Sequence, residues 1–357
     1  MYCRSFGRRH KRKRIKYLTK NQDTSFILME YFFMEYKIAI LGATGLVGRK
    51  VLEMLEQYNL LDNEYFLFAS KKSAKSYLKI GNKNYQVEEI CKRNLLAKKF
   101  DFALFCTPES VSAQYVPKLA QNGTVVIDFS SLFRKDYPLI VPEINMEQAK
   151  GNIICNPNCS TAIGVMALFE IHKKYGLKSI VYSTYQALSG AGKNALLDQN
   201  VTKKEDLRKL EYVIDNNLIP CIGEMDKNGN SREESKMIFE TKKILNDFQI
   251  LVSATCVRVN VDVCHCESIT FTTKNNATIY DIENALKNTK NVVYVINDIS
   301  KLMPNYVKDK KEVFVGRLRQ SETNKNTFSI FVVGDNLRKG AGQNGVQILE
   351  QLIKGNL

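Results

Sequence analysis

Short apolar runs alternate with amphipathic segments along the chain from residue 36 onward. Residues 37–41 (KIAIL) form an apolar run that ends at a glycine, and the apolar residues after it recur at helical spacing, namely Val47, Val51, Leu52 and Leu55. Three further apolar runs predict buried strands, at 65–69, 102–106 and 124–128, and a helix is predicted over 111–120. Strands and helices in this order predict an α/β fold with a doubly wound parallel sheet.

The pattern changes after residue 159. An apolar helix is predicted over 161–175, and Gly176 ends it. The strands that follow are β-branched and only partly alternating, as in a mixed sheet, and they are predicted at 180–186, 257–263, 268–273 and 313–318. Further helices are predicted at 194–215, 233–247, 280–288 and 344–353. We therefore expect a first domain over 34–158, completed by the C-terminal helix within 337–357, and a second, α+β domain over 159–336.

Residues 1–33 form a basic extension whose first half has neither a helical nor a strand period, and we expect it to be disordered. Three interpretations remain open. The segment is a tail or the product of an upstream start codon, a transit peptide, or a nucleic-acid or nuclear-targeting segment carried by the basic run at 8–14. The third is the weakest, because no aromatic-rich nucleic-acid module follows.

Composition fits an ordinary globular enzyme. The chain has 357 residues, 44% of them apolar, and a formal net charge of +15, of which only about +6 belongs to the chain after the first twenty residues. No uncharged apolar stretch of about 18 residues predicts a membrane span. The nine cysteines are an odd number spread through apolar segments, which indicates reduced thiols in the cytoplasm. Their spacing, including Cys155 with Cys159, lacks the short pairs of a zinc site, so we expect no metal.

A glycine-rich turn links the first predicted strand to the first predicted helix. Residues 42–48 read GATGLVG, and such glycines allow a tight turn and a close approach of backbone N–H groups to a pyrophosphate. This predicts a Rossmann-type dinucleotide site. The second strand is followed by Ser70, Lys71, Lys72 and Ser73, where a site for NAD would place an acid. Hydroxyl and ammonium groups suit a 2′-phosphate, so we expect NADP.

One cysteine and one histidine are candidates for nucleophilic catalysis. Cys159 lies where a loop enters an apolar helix, and a helix N-terminus favours the thiolate form. Cys155 ends an apolar run and is expected to be buried and inert. Of the three histidines, His265 lies in a predicted strand region, whereas His10 lies in the extension and His172 at a lysine-rich helix end. We therefore expect His265 to be the acid or base beside Cys159.

From residue 36 to the C-terminus the chain resembles aspartate-semialdehyde dehydrogenases. Several separated motifs carry the resemblance in the same order: GATGLVG at 42–48, SSLFR at 130–134, NPNCSTA at 156–162, YQALSGAG at 185–192, EESK at 233–236, the segment 258–265, and DNLRKGA at 335–341. It implies a cytoplasmic, NADP-dependent homodimer that oxidises L-aspartate 4-semialdehyde to 4-phospho-L-aspartate with phosphate. The biosynthetic direction, toward lysine, diaminopimelate, threonine and methionine, is the reverse reduction.

The resemblance also implies a role for each matching residue. Cys159 attacks the aldehyde and carries the acyl-thioester, His265 is the acid and base, and Gln186 and Asn158 orient the reacting group. Arg258 binds the substrate carboxylate, Glu233 its ammonium, and Arg134 and Lys236 the phosphate. The implied cofactor contacts are Gly42, Thr44, Gly45, Leu46, Val47 and Gly48 at the pyrophosphate, Ser70, Lys72 and Ser73 at the 2′-phosphate, and Thr107, Ser189, Gly190 and Asn336 toward the nicotinamide.

Two other functions remain as alternatives. N-acetyl-glutamyl-phosphate reductases share the fold, the thiol chemistry and NADP, but their substrate has an acylated amine that needs no carboxylate such as Glu233. The second alternative is a non-catalytic protein that binds nucleic acid through the basic extension. Retention of Cys159, Gln186, Arg258 and His265 together argues against lost catalysis.

Overall fold

The computed structural model of this protein describes residues 12–20 and 26–355. Strand β1 (Arg12–Lys20) pairs antiparallel with β2 (Phe26–Met34). Over these two segments the structure corrects the expectation that residues 1–33 lack regular structure. The aromatic and β-branched residues of 26–34 have high strand propensity, and they supply a partner for the basic segment. Residues 1–11, with most of the basic run, lie outside the described part.

The first large sheet is built from seven short strands. They are β3 (Lys37–Leu41), β4 (Glu64–Ala69), β5 (Tyr77–Ile80), β6 (Lys83–Glu89), β7 (Phe102–Phe105), β8 (Val125–Asp128) and β9 (Ile153–Cys155). Their order is β5-β6-β4-β3-β7-β8-β9, and all neighbours are parallel except β5 and β6. The chain runs outward from β3 through β4 to β5 and β6, and then crosses to β7 on the other side of β3. The strand order therefore reverses between β3 and β7, and the carboxyl ends of these strands are the point where such sheets bind ligands.

Helices cover both faces of this sheet. The ten α-helices of the described residues are α1 (Leu46–Gln57), α2 (Lys92–Leu96), α3 (Glu109–Gln121), α4 (Pro142–Asn145), α5 (Cys159–Tyr175), α6 (Lys193–Leu197), α7 (Arg232–Ile244), α8 (Ile279–Lys287), α9 (Pro304–Val307) and α10 (Gln343–Ile353). Apolar residues of α1 and α10 pack on one face and those of α2 and α3 on the other. The predicted doubly wound architecture is therefore confirmed.

The second large sheet also has seven strands. They are β10 (Leu177–Gln186), β11 (Leu218–Ile219), β12 (Leu251–Val259), β13 (His265–Thr273), β14 (Val292–Val295), β15 (Val313–Gln320) and β16 (Thr327–Gly334). The order is β11-β12-β10-β13-β16-β15-β14, with parallel and antiparallel neighbours, which confirms the predicted mixed sheet. Helices α5, α7 and α8 pack on one face and enclose the largest apolar core.

Two predicted elements differ from the structure. The helix predicted over 194–215 is wrong, because only Lys193–Leu197 forms an α-helix and a single 3-10 turn follows at Lys204–Asp206. The buried Asp198 carboxylate accepts the backbone N–H groups of residues 208, 209 and 210, which fixes this polar segment as a loop. The strand predicted over 257–263 ends at Val259, and residues 261 and 262 pair instead with the backbone of Leu188 and Ser189.

The C-terminal segment returns to the first sheet through a buried lysine. A π-helical turn at Arg338–Gly342 leads into α10. The Lys339 ammonium is fully buried, pairs with Glu143 of α4, and donates hydrogen bonds to Asn344 Oδ1 and Gln347 Oε1, each at 2.9 Å. Burial alone would raise the pKa of Glu143, but the Lys339 charge holds it below its ordinary value.

No helix in the described part of the chain has the length and apolar character needed to cross a membrane.

Replacing Lys339 by methionine should lower the free energy of unfolding by about 3–5 kcal/mol, because the change leaves the Glu143 carboxylate buried without its cation. Urea denaturation measures this loss. The matched control is Lys173→Met. Lys173 is 65% exposed, and its ammonium is as far as 3.8 Å from the Glu170 carboxylate. This substitution should therefore change the free energy of unfolding by less than about 0.5 kcal/mol. A loss below about 1 kcal/mol for Lys339→Met would contradict the assigned importance of this ion pair.

Candidate active site

A cleft of about 940 Å³ opens between the carboxyl ends of the first sheet and the second sheet. Residues from both sides line it, among them Val47, Thr107, Cys159, Glu233 and Arg258. Most of the residues predicted for catalysis and for substrate binding converge here. Gln186 and His265 lie behind the wall, fully buried, rather than on it.

Cys159 is the first residue of α5, as predicted from its loop-to-helix position. The Asn158 side chain caps this helix by accepting the N–H of Thr161 at 3.0 Å. Behind the cysteine, a Cβ at Gly340 would lie 2.9 Å from Cys159 Cβ. Only glycine therefore allows the C-terminal segment to pack so closely under the nucleophile.

His265 contacts the cysteine directly. Its Nε2 lies 3.0 Å from Cys159 Sγ, and its Nδ1 accepts the Ala187 N–H at 3.0 Å. Because Nδ1 is the acceptor, the proton of the neutral ring belongs on Nε2, facing the sulfur. Burial, and then the nearby Arg258 charge, lower the pKa of His265 to about 3, so the ring is neutral at physiological pH.

The thiol is not ionised in this arrangement. Burial, and next the negative charge of Glu233, raise the pKa of Cys159 to about 12, and they outweigh Arg258 and the helix N-terminus. The expectation that the helix end brings this pKa toward neutrality is therefore wrong for the protein without its substrate. Cys155 is fully buried, whereas Cys159 is half-buried at the cleft, and the pKa of Cys155 is likewise raised to about 12, mainly by burial, in line with an inert thiol.

Two carboxylates from one helix hold Asn158. Glu233 Oε1 accepts its side-chain amide at 2.7 Å, and Glu240 Oε2 accepts its backbone N–H at 2.7 Å. Glu240 was not predicted as a site residue. Its position seven residues after Glu233, two turns along the same face of α7, is the signal that could have identified it.

The two cations expected at the phosphate also pair with these carboxylates. Arg134 Nη1 lies 2.8 Å from Glu240 Oε1, and Lys236 Nζ lies 3.2 Å from Glu233 Oε2. Arg134 is buried and also donates to the Phe129 carbonyl at 2.8 Å. Lys236 is more exposed, so it is the cation with freedom to reach a ligand in the cleft.

Arg258 lines the same cleft. Its Nη1 donates to the Ala187 carbonyl at 2.7 Å, and a Cβ at Gly190 would lie 3.0 Å from the same nitrogen. The remaining guanidinium nitrogens are available to a carboxylate. Gln186 pairs with Arg258 in the register of β10 and β12, but its amide donates to Thr184 Oγ1 at 3.3 Å.

The glycine-rich turn lies at the carboxyl end of β3. Gly42 has φ +76°, and a Cβ there would lie 2.1 Å from the Cys106 carbonyl oxygen, so both the turn and the packing require glycine. Gly45 precedes α1, and no described side chain caps that helix. Its uncapped N–H groups, next to Thr44 and Val47, fit a pyrophosphate.

The other predicted cofactor residues lie in two groups, one beside the glycine-rich turn and one in the loops that follow β10 and β16 of the second sheet. Gly42 donates to the Phe68 carbonyl at 2.8 Å, which places the exposed turn with Ser70, Lys72 and Ser73 beside the glycine-rich turn. A Cβ at Gly42 would lie 3.3 Å from Thr107 Cγ2. Further along, Asn336 Nδ2 donates to Ser189 Oγ at 2.9 Å, so these two predicted residues meet although 147 positions separate them.

Two family models match most of the chain. The family model for the semialdehyde dehydrogenase NAD-binding domain matches residues 37–152, and that for the dimerisation domain matches 168–339. An aspartate-semialdehyde dehydrogenase of Aquifex aeolicus is 43% identical over 340 residues, 91% of this chain and 100% of that protein.

Two solved structures extend the comparison. The crystal structure of Vibrio cholerae aspartate semialdehyde dehydrogenase II complexed with ASA has a TM-score of 0.85 at 35% identity, covering 91% of this chain and 100% of that one. The Candida albicans enzyme, solved with NADP, has a TM-score of 0.70 at 24% identity, covering 90% of this chain and 100% of that one, which shows the shared fold.

Alkylation of Cys159 by iodoacetamide should accelerate about tenfold per pH unit from pH 7 to 9 without a plateau, because only the thiolate reacts and the pKa is about 12. Quantifying the modified Cys159 peptide by mass spectrometry measures this rate. Glu233→Gln should increase the rate at pH 8 by removing a negative charge, whereas Glu224→Gln, a change at an exposed residue of the same cleft, should not. A plateau below pH 9 in the chain without substitutions would show that the helix N-terminus has a larger effect on the pKa of Cys159 than burial and Glu233.

Proposed function

Because this chain belongs to the aspartate-semialdehyde dehydrogenases, oxidoreductases of amino-acid biosynthesis, we propose that it oxidises L-aspartate 4-semialdehyde to 4-phospho-L-aspartate with NADP and phosphate. The observation that carries the proposal is the 3.0 Å contact between Cys159 Sγ and His265 Nε2 at a cleft that holds Arg258, Glu233 and Lys236. In biosynthesis the reaction runs in reverse, toward lysine, diaminopimelate, threonine and methionine.

The charges of the cleft complement the substrate. The Arg258 guanidinium binds the substrate carboxylate, and Glu233 binds the ammonium. The ammonium also counters the Glu233 charge that raises the pKa of Cys159, so the bound substrate favours the thiolate. Binding thereby helps to activate the nucleophile only when the correct amino acid is present.

Once the Cys159 thiol has released its proton to solvent, the thiolate attacks the aldehyde carbon, and the carbonyl π bond breaks to leave a thiohemiacetal alkoxide. Of the two roles expected for His265, its hydrogen bond from Ala187 favours the acid: the Nε2–H group, which faces the sulfur, would donate a hydrogen bond to the alkoxide and stabilise it until the hydride leaves. Asn158, held by Glu233 and Glu240, and Gln186 orient the reacting group. NADP, when bound, supplies the hydride acceptor that converts this adduct into an acyl-thioester. Phosphate, held by Arg134 and Lys236, releases the acyl group from the sulfur.

The cofactor would lie along the carboxyl edge of the first sheet. The uncapped N-terminus of α1 supports pyrophosphate binding, and Ser70, Lys72 and Ser73 would face the 2′-phosphate of NADP. We propose a nucleotide domain over 34–158 with 337–357 and a catalytic domain over 159–336. The eight described cysteines are all free, which supports a cytoplasmic location; Cys3 lies outside the described residues.

The purified chain should reduce NADP⁺ with L-aspartate 4-semialdehyde only when phosphate is present, and Cys159→Ser should lower the rate by at least about 10³-fold, because serine is a far weaker nucleophile at this pH. Absorbance at the nicotinamide band measures the rate. NAD⁺ in place of NADP⁺ should react more slowly. Turnover of N-acetylglutamate semialdehyde in preference to this substrate would instead support the reductase alternative.

The outer face of the second sheet supports the proposed homodimer. Some side chains of β10 and β12 point away from the core and are apolar but exposed. Val181 is 46%, Tyr185 43% and Leu251 66% exposed. The register places Val181 beside Ser253 and Thr270, so small side chains flank it and leave it accessible. Apolar surface on this part of the chain fits the dimerisation domain that the family model describes.

Light scattering during size-exclusion chromatography should therefore give about twice the 40.8 kDa of one chain. Introducing Val181→Asp together with Tyr185→Asp should shift the protein to the single-chain mass, because an interface cannot bury unpaired carboxylates. The control is Tyr77→Asp, a change at a 64% exposed residue of the first sheet, which should leave the mass unchanged. An unchanged mass for the double variant would place the interface elsewhere.

A further inference from the structure

One ion pair joins the two residues that are proposed to bind charged groups of different reactants. Lys236 and Glu233 are one turn apart on α7, both line the cleft, and their charged atoms are 3.2 Å apart. The inference drawn from this pair rests on the proposed function, in which Glu233 receives the substrate ammonium and Lys236 the phosphate. Each residue of the pair therefore has to serve a different ligand.

The hydrogen bonds show which atoms would exchange. Glu233 Oε1 is already occupied by the Asn158 amide, so Oε2, the oxygen that faces Lys236, is the one available to an ammonium. The Glu233 side chain is 9% exposed and held in place, whereas that of Lys236 is 26% exposed. Lys236 is consequently the partner that can move away.

Either ligand alone breaks the pair at a cost. If phosphate attracts Lys236, the Glu233 carboxylate stays buried without its cation, which is unfavourable. If an ammonium binds Glu233 first, two cations compete for one carboxylate oxygen. When both ligands are present, Glu233 pairs with the ammonium and Lys236 with the phosphate. The first ligand to bind has then already separated the ion pair, so the second ligand binds without that unfavourable free energy.

We propose that the Glu233–Lys236 ion pair couples the ammonium site to the phosphate site, so that an amino-acid ligand and phosphate each strengthen the binding of the other. Arg134 does not take part in the exchange, because it is buried against Glu240 and the Phe129 carbonyl. Its positive charge stays in one position, whereas the Lys236 ammonium can move from Glu233 to the phosphate. The acyl phosphate, which carries an ammonium and a phosphate in one molecule, would satisfy both ends of the separated pair at once.

Calorimetric titration of inorganic phosphate into the NADP-loaded chain tests the coupling without turnover. The titration is done with saturating L-2-aminobutanoate and with saturating butanoate, which have the same carbon chain and differ only in the amino group. Phosphate should bind about fivefold more tightly with the amino acid, at the low end of the usual range for coupled sites. Equal phosphate affinity in the two titrations would overturn the proposal.

The variant Glu233→Gln provides the second arm. Removing the carboxylate frees Lys236, so phosphate should bind several-fold more tightly than to the unmodified chain, and the difference between L-2-aminobutanoate and butanoate should disappear. A residue that merely supports the fold would weaken binding when changed. Glu224→Gln, which removes a charge from the same cleft but has no role in the pair, should keep the original phosphate affinity and the original difference.

These outcomes are separable from failure of the proposed function. If the chain oxidises the semialdehyde with phosphate but phosphate affinity is the same with both ligands, the coupling alone is refuted. If phosphate does not bind the NADP-loaded chain under any condition and no phosphate-dependent turnover occurs, the phosphate site and the coupling are refuted together. Tighter binding to Glu224→Gln equal to that of Glu233→Gln would assign the effect to net charge and also overturn the coupling.

Discussion

The buried ammonium of Lys339 is the constraint that holds the C-terminal segment against the first sheet and under the cleft. A cation with no access to water must have its hydrogen bonds supplied by the protein, and here Glu143, Asn344 and Gln347 supply them. The next residue, Gly340, packs directly under Cys159. The hydrogen bonds that this ammonium donates therefore hold the C-terminal segment in place, and Gly340 and Ala341 of that segment line the cleft.

The same network continues toward Cys159. Asn344 Nδ2 donates to Asn156 Oδ1 at 2.8 Å, and Asn156 lies three residues before Cys159. From the other side, Glu233 and Glu240 of α7 hold Asn158. The loop that carries the cysteine is thus held from the first sheet and from the second-sheet helices at once, and its geometry is determined by contacts between residues far apart in the chain.

This rigidity has an electrostatic consequence. Burial and the Glu233 carboxylate raise the pKa of the Cys159 thiol, and burial and the Arg258 charge lower the pKa of the His265 ring. Because Glu233 and Arg258 both line the cleft, a charged group bound there would change the pKa of Cys159. Local helix geometry has the smaller effect, because the dipole of one helix end is weaker than burial combined with a full charge nearby.

Local sequence pattern was enough to predict the strand, glycine-rich turn and helix that follow residue 36, a helix that begins close to Cys159, and the family that the order of motifs indicates. It did not reveal how Asp198 folds residues 198–210 into a loop, that Glu240 holds Asn158, or that burial and Glu233 raise the pKa of Cys159. Hydrophobic periodicity is a property of neighbouring residues, so it can be read along the chain. Burial, charge pairing and pKa depend on residues brought together from distant positions, and only the tertiary structure decides them.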